Sequence, residues 1–63
     1  MITKRLELRN ANDKIVFGRT MSYDERYYEI GDVVKRFFEL AYNNFTDECV
    51  AKSRLVIKEH FGN

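Results

Sequence analysis

The sequence has no proline, only three isolated glycines, one cysteine and one histidine. Each scarcity excludes something. A single Cys49 cannot form an internal disulfide or a cysteine-based zinc site. His60 alone leaves no His/Cys spacing for a metal. The lone thiol suits a buried or half-buried side chain in a reducing compartment. Without proline, and with so little glycine, the chain does not read as a disordered linker. No run of about 18 apolar residues is present, so no transmembrane helix is expected. Lys4 and Arg5 are not followed by the apolar stretch of a secretory signal. Neither sign of charge dominates, since eleven Lys/Arg face ten Asp/Glu for a formal net charge of +1. The signs are interleaved along the chain, which leaves no electrostatic footprint of a dedicated nucleic-acid binder. The expectation is a cytoplasmic protein with no membrane partner, no metal and no cofactor.

Catalytic constellations are missing as well. Hydrolysis or group transfer needs a nucleophile, a base and a group to orient them. Only Cys49 and His60 could supply the first two. On one helix, eleven residues apart, their backbones stand about 16 Å from each other. No phosphate-cradling glycine motif occurs, and no two carboxylates form a close, apolar-flanked pair. The chain therefore reads as non-enzymatic.

What the sequence does have is a high density of aromatics in a short chain. Its 63 residues allow a single domain, 1–63, with one small core. A chain of this size buries only about 60% of its unfolded surface and needs help to be stable. With disulfides and metals excluded, association is the remaining aid, and a homodimer is one form it could take.

"ITKRLELR" alternates, with Ile2, Leu6 and Leu8 on one parity and Thr3, Arg5, Glu7 and Arg9 on the other. That is the pattern of a half-buried strand, with Glu7 on its solvent side. The turn formers "NAND" follow, and "KIVFGRTM" is strand-like again. A hairpin turning at 10–13 pairs Leu8 with Ile15, Leu6 with Phe17 and Ile2 with Met21, so the apolar sets coincide. The same register sets Lys4 opposite Arg19. These two either snorkel past the core's edge or meet an anion or an acidic side chain.

"SYDE" has two readings. Ser22 with Glu25 fits a capping box that starts a helix at Tyr23, with an apolar stripe at 23, 27, 30, 34, 37, 41 and 45. Alternatively "SYDE" is a turn and "RYYEI" a third strand, ended by Gly31, with Asp32 capping the helix that follows. The second is favoured, because a mid-helix glycine costs about 1 kcal/mol and a two-stranded sheet is marginal alone. Val33 to Asn44 is a helix in either case. "NNFT" ends it, and Thr46 caps a second helix from Asp47 to Phe61, with Lys58, His60 and Gly62 as C-terminal signals. "LVIKEHF" on its own suits a strand equally well. The fold expected is α+β: a small antiparallel β-hairpin or three-stranded meander followed by two α-helices packed on one face.

On a helical wheel the apolar residues of 33–45 sweep roughly 200°, about twice what a surface helix needs. This helix therefore packs on two sides, and part of its surface is left for a partner. Tyrosine and arginine are the side chains that most often anchor interfaces. Tyr28 and Tyr42 lie at the edges of their apolar sets near Arg36, and Leu55 falls on the charged face of the expected second helix. Tyr28, Arg36, Tyr42 and Leu55 are thus the candidate partner-binding residues.

The function expected is binding of another protein, as a small modulator, inhibitor or adaptor of the kind frequent in phages and mobile elements. The alternative is a small nucleic-acid-binding regulator of helix-turn-helix or ribbon-helix-helix type. Its basic surface would be Arg5, Arg9, Lys14 and Arg19. Two features weigh against it. Asp47 and Glu48 at the start of a recognition helix would repel phosphate, and a hairpin stands where a ribbon-helix-helix strand runs straight into its helix.

Overall fold

Two alternating stretches, one on each side of "NAND", form the hairpin that their spacing predicts. Strand β1 runs Ile2–Arg9 and β2 runs Ile15–Tyr23, antiparallel to each other. Asn10 organises the turn. Its backbone carbonyl accepts from Asp13 N–H at 2.9 Å, and its side-chain oxygen accepts from the N–H groups of Asn12 and Lys14 at 2.9 and 3.0 Å. Asp13 takes the left-handed conformation (φ 61°), which aspartate tolerates better than most residues. The computed structural model describes residues 1–59. His60, Phe61 and Gly62, assigned above to the end of a helix, lie outside the described residues.

The register differs from the expected one by two residues. Leu8 faces Phe17, Leu6 faces Arg19, Lys4 faces Met21 and Ile2 faces Tyr23. One residue of the difference comes from the turn, which closes on the Asn10–Lys14 pair around three residues rather than four. The second comes from a bulge, because Arg9 faces Ile15 and Val16 is the extra residue. A one-residue slip would exchange the faces, whereas two slips restore them, so the parity of the core survives. Ile15 alone changes sides. It faces Arg9 instead of Leu8 and is 49% exposed. Lys4 finds its acid within the chain, the carboxylate of Glu59, and the Arg19 guanidinium lies 4.6 Å from the Phe17 ring centroid.

The third strand is not "RYYEI". Chain reversal after β2 is set by Asp24, whose backbone carbonyl accepts from Tyr27 and Tyr28 and whose carboxylate accepts from the Arg26 backbone and side chain. This side-chain-closed turn leaves 26–29 irregular. Helix α1 then spans Ile30–Asn44. Glu29, not Asp32, is its N-cap residue; Asp32 sits at the third helical position, where its carboxylate accepts from Glu29 N–H at 2.9 Å. Gly31 therefore sits in the exposed first turn, where a flexible residue costs less than it would in mid-helix.

Thr46 caps α2 as its spacing predicts, accepting from Cys49 N–H at 3.2 Å. That helix, however, covers only Asp47–Ala51, and β3 (Arg54–Glu59) replaces its expected continuation. Ser53 closes it, with its backbone N–H on Val50 and its hydroxyl on the Cys49 carbonyl. "RLVIKE" becomes a strand because β1 has a second edge of backbone donors and acceptors to satisfy. Leu55 and Ile57 then fall opposite Leu8 and Leu6. The order is β2-β1-β3. Both outer strands run antiparallel to β1, so the two helices form a crossover that carries the chain over β1.

The fold is therefore α+β, a three-stranded antiparallel sheet with two helices on one face. Leu6, Leu8, Phe17, Val33, Phe37, Ala41 and Val50 make its core. Phe17 touches Phe37 and Phe45 at 5.3 and 5.7 Å between ring centroids. Most described phenylalanine surface points inward, while Tyr27, Tyr28 and Tyr42 remain exposed. No described helix is long and apolar enough to cross a membrane.

Phe37, fully buried, is the side chain whose loss should cost most. Phe37→Ala should remove about 3–5 kcal/mol, most of the stability of a domain this small. Tyr27→Ala should be nearly neutral. A chain ending at Ser53 should lose cooperative unfolding altogether, because β1 would keep an open edge. Urea denaturation followed by circular dichroism separates the three.

Candidate functional site

Of the four predicted partner-binding residues, the structure brings two together. Tyr28 and Arg36 line one groove of about 470 Å³ between the end of β2 and the first turns of α1. Met21, Tyr23 and Val33 contribute its apolar surface, and Asp24 and Asp32 are among its polar lining. The two carboxylates are already engaged, Asp24 by Arg26 at 2.8 Å and Asp32 by the Glu29 N–H. Hydrogen bonds from the Arg26 side chain, then its backbone, hold the Asp24 carboxyl below the usual range. Arg36 is exposed, and among the described residues its one ion pair is with Glu39, at a loose 3.7 Å. It is therefore available to an incoming group. The groove lies where the last residues of β2 meet the first turns of α1.

The other two predicted residues lie elsewhere. Tyr42 is exposed near the far end of α1, with its ring 6.4 Å from Phe38. Leu55 is not on a charged helix face. It belongs to β3, lies opposite Leu8 and packs against the core, because 54–59 is a strand.

The predicted basic surface also divides. Arg5 and Arg9 point to the face of the sheet that carries no helix, whereas Arg19 faces the helices over Phe17 and Lys14 belongs to the turn. Arg5 and Arg9 are joined there by two residues of β3. Arg5 lies opposite Lys58, and Arg9 lies opposite Arg54. Between these like-charged rows sits Glu7, only 4% exposed although it is on the open face. Arg9 donates to its Oε1 from Nε and Nη2 at 3.1 and 2.8 Å. Arg5 Nε reaches Oε2 at 3.3 Å, and Lys58 Nζ stands 3.4 Å from Oε1. Glu7 is thus the hub of a charged cluster rather than the solvated residue its parity suggests. Gly18, opposite Glu7 in β2, makes room for it: a Cβ there would lie 2.4 Å from Arg5 Nη2.

Sequence reasoning missed Glu7, Gly18, Arg54 and Lys58. Two signals were present, the alternation of Arg5, Glu7 and Arg9 on one strand face and a glycine in mid-strand. The charges, interleaved in sequence, separate in space. Residues 1–23 and 54–59, the sheet and its turn, carry seven Lys/Arg and three Asp/Glu, whereas 24–53 carry four and seven. A near-neutral molecule therefore has a basic sheet layer and an acidic helical layer. No protein-family model, curated protein or solved structure matches the chain.

Hydrogen bonds from Arg9 hold the Glu7 carboxyl below its ordinary range, burial pushes the other way, and Arg5 and Lys58 add to the lowering. A carboxyl depressed on folding stabilises the native state fully above its unfolded value, about 4.3. That contribution disappears as pH falls through the native value. Glu7→Gln should therefore melt below the parent chain at pH 7, and the difference should shrink below about pH 4. A difference in melting temperature that is constant from pH 7 to pH 2 would contradict this role.

Proposed function

We propose that the chain is a small non-enzymatic protein-binding module, a modulator or inhibitor of a larger protein, and that the groove beside α1 is its contact surface. The observation that supports this reading is the meeting of Tyr28 and Arg36 at one apolar groove. Tyrosine brings a large rigid area with a polar tip, and arginine brings directed donors, which is why both recur as interface anchors. The groove's volume falls within the range of about 300–1,000 Å³ common to ligand clefts. Half-buried Cys49, an unpaired thiol, suits a reducing, cytoplasmic setting.

Affinity capture from lysate, with and without nuclease, tests the reading. A partner protein should survive nuclease treatment, be lost with Tyr28→Ala and with Arg36→Ala, and be retained by Tyr42→Ala, all with unchanged circular dichroism. Capture that disappears with nuclease would favour the nucleic-acid alternative. The helix expected to serve that alternative, α2, has five residues and begins with Asp47 and Glu48.

Self-association is supported by a separate observation. β3 is an edge strand that pairs with β1 without a register break, and Ile57 at its centre is 43% exposed. Such an edge is a template for pairing with a second chain. Sedimentation equilibrium should return a dimer mass, and Ile57→Lys should return that of a monomer.

A further inference from the structure

The open face of the sheet is a second surface, separate from the groove. We propose that it docks an acidic protein segment, one that places carboxylates over the two cationic rows on either side of Glu7. Like charges directly opposite each other on neighbouring strands are destabilising. Here two such pairs, Arg5 with Lys58 and Arg9 with Arg54, stand one above the other. The carboxylates among them are Glu7 and Asp13, the latter 2.7 Å from Arg54 Nη2. Four cations against two carboxylates leave the face positive, within a sheet layer that is itself basic. Such a field steers and orients an anionic partner.

The cluster also leaves donors uncommitted. Gly18 leaves space for the Arg5 guanidinium beside β2. Among the described residues Arg5 spends only Nε, on Glu7, which leaves both Nη groups for a guest carboxylate. Arg5 and Arg9 are four residues apart on β1, about 13 Å along a strand. An extended segment with acids at i and i+4 on one side matches that span.

A nucleic acid fits this face less well, for three reasons. Proteins that grip duplex DNA commonly neutralise about 6–10 phosphates, more than four cations can engage. Single-stranded nucleic acid is held by aromatic platforms, and the open face shows none among the described residues, its other positions being Thr3, Ile15, Gly18, Thr20, Ser22 and Val56. Finally, the Glu7 carboxylate at the centre repels a phosphate placed there, whereas carboxylates spaced over the two rows straddle it.

The test uses fluorescence anisotropy at low ionic strength with two labelled probes, a peptide of alternating Glu and Ser and a random-sequence DNA duplex. The full chain should bind the peptide more tightly than the duplex, and added salt should weaken that binding. The double variant Arg5→Gln/Lys58→Gln should lose about tenfold in peptide affinity, equivalent to about 1.4 kcal/mol. Lys35→Gln/Lys52→Gln, the same change of charge in the helical layer, should lose much less. Should the first double variant fail to fold by circular dichroism, Lys58→Gln alone, at an exposed side chain, carries the comparison. Equal losses in the two layers, no peptide binding at low salt, or tighter binding of the duplex would each overturn the proposal. The groove variants Tyr28→Ala and Arg36→Ala should leave peptide affinity nearly unchanged, so failure here is distinguishable from failure of the groove reading.

Discussion

Strand β1 has to be buried on both faces and paired on both edges, and most of the architecture follows from that. Leu6 and Leu8 are fully covered by the helical layer, while Glu7 between them is covered from the other side by its own neighbours. A strand in that position needs two flanking strands. One is supplied locally by a turn and the other only after the chain has crossed the sheet. The crossover places α1 over the core and sets its first turns beside the end of β2, where the groove lies.

The two faces of the sheet solve the problem of burial by different physics. On the helical side, apolar area and ring contacts exclude water, with Phe17 bridging the sheet to Phe37 and Phe45. On the open side, long cationic side chains lie along the sheet and shield a carboxylate without a hydrophobic layer above it. Arginine suits this use, since its guanidinium stays charged and offers several donors in a plane. The result is a molecule whose small net charge conceals two layers of opposite sign.

How much of this could be read in the sequence depended on the range of the interactions concerned. Hairpin strands, the Leu6/Leu8/Phe17 core parity, the body of α1 and the Thr46 cap all rest on contacts between near neighbours in sequence, and spacing reveals those. The register was displaced because a three-residue loop and a bulge at Val16 each add one residue, and neither leaves a strong mark in composition. The strand at Arg54–Glu59 was hidden by distance: its residues suit helix or strand, and the deciding partner lies in β1. The error carried Leu55 to the wrong surface and concealed the partners that bury Glu7. Tyr28 and Arg36 were identified as contact residues from side-chain type, but only the tertiary path of the crossover shows that they share a groove.

The pairing of β1 with β3 joins residues separated by 45 to 55 positions, and it completes the sheet from the chain's later end. During synthesis, therefore, the first strand emerges with only one partner within reach. The cationic cluster stays incomplete until Lys58 has appeared. Through that interval β1 exposes an unpaired edge in a sheet of only two strands, a marginal arrangement in water. The nascent chain is consequently most open to trapping by another strand until β3 has emerged, and its cooperative structure waits on that strand.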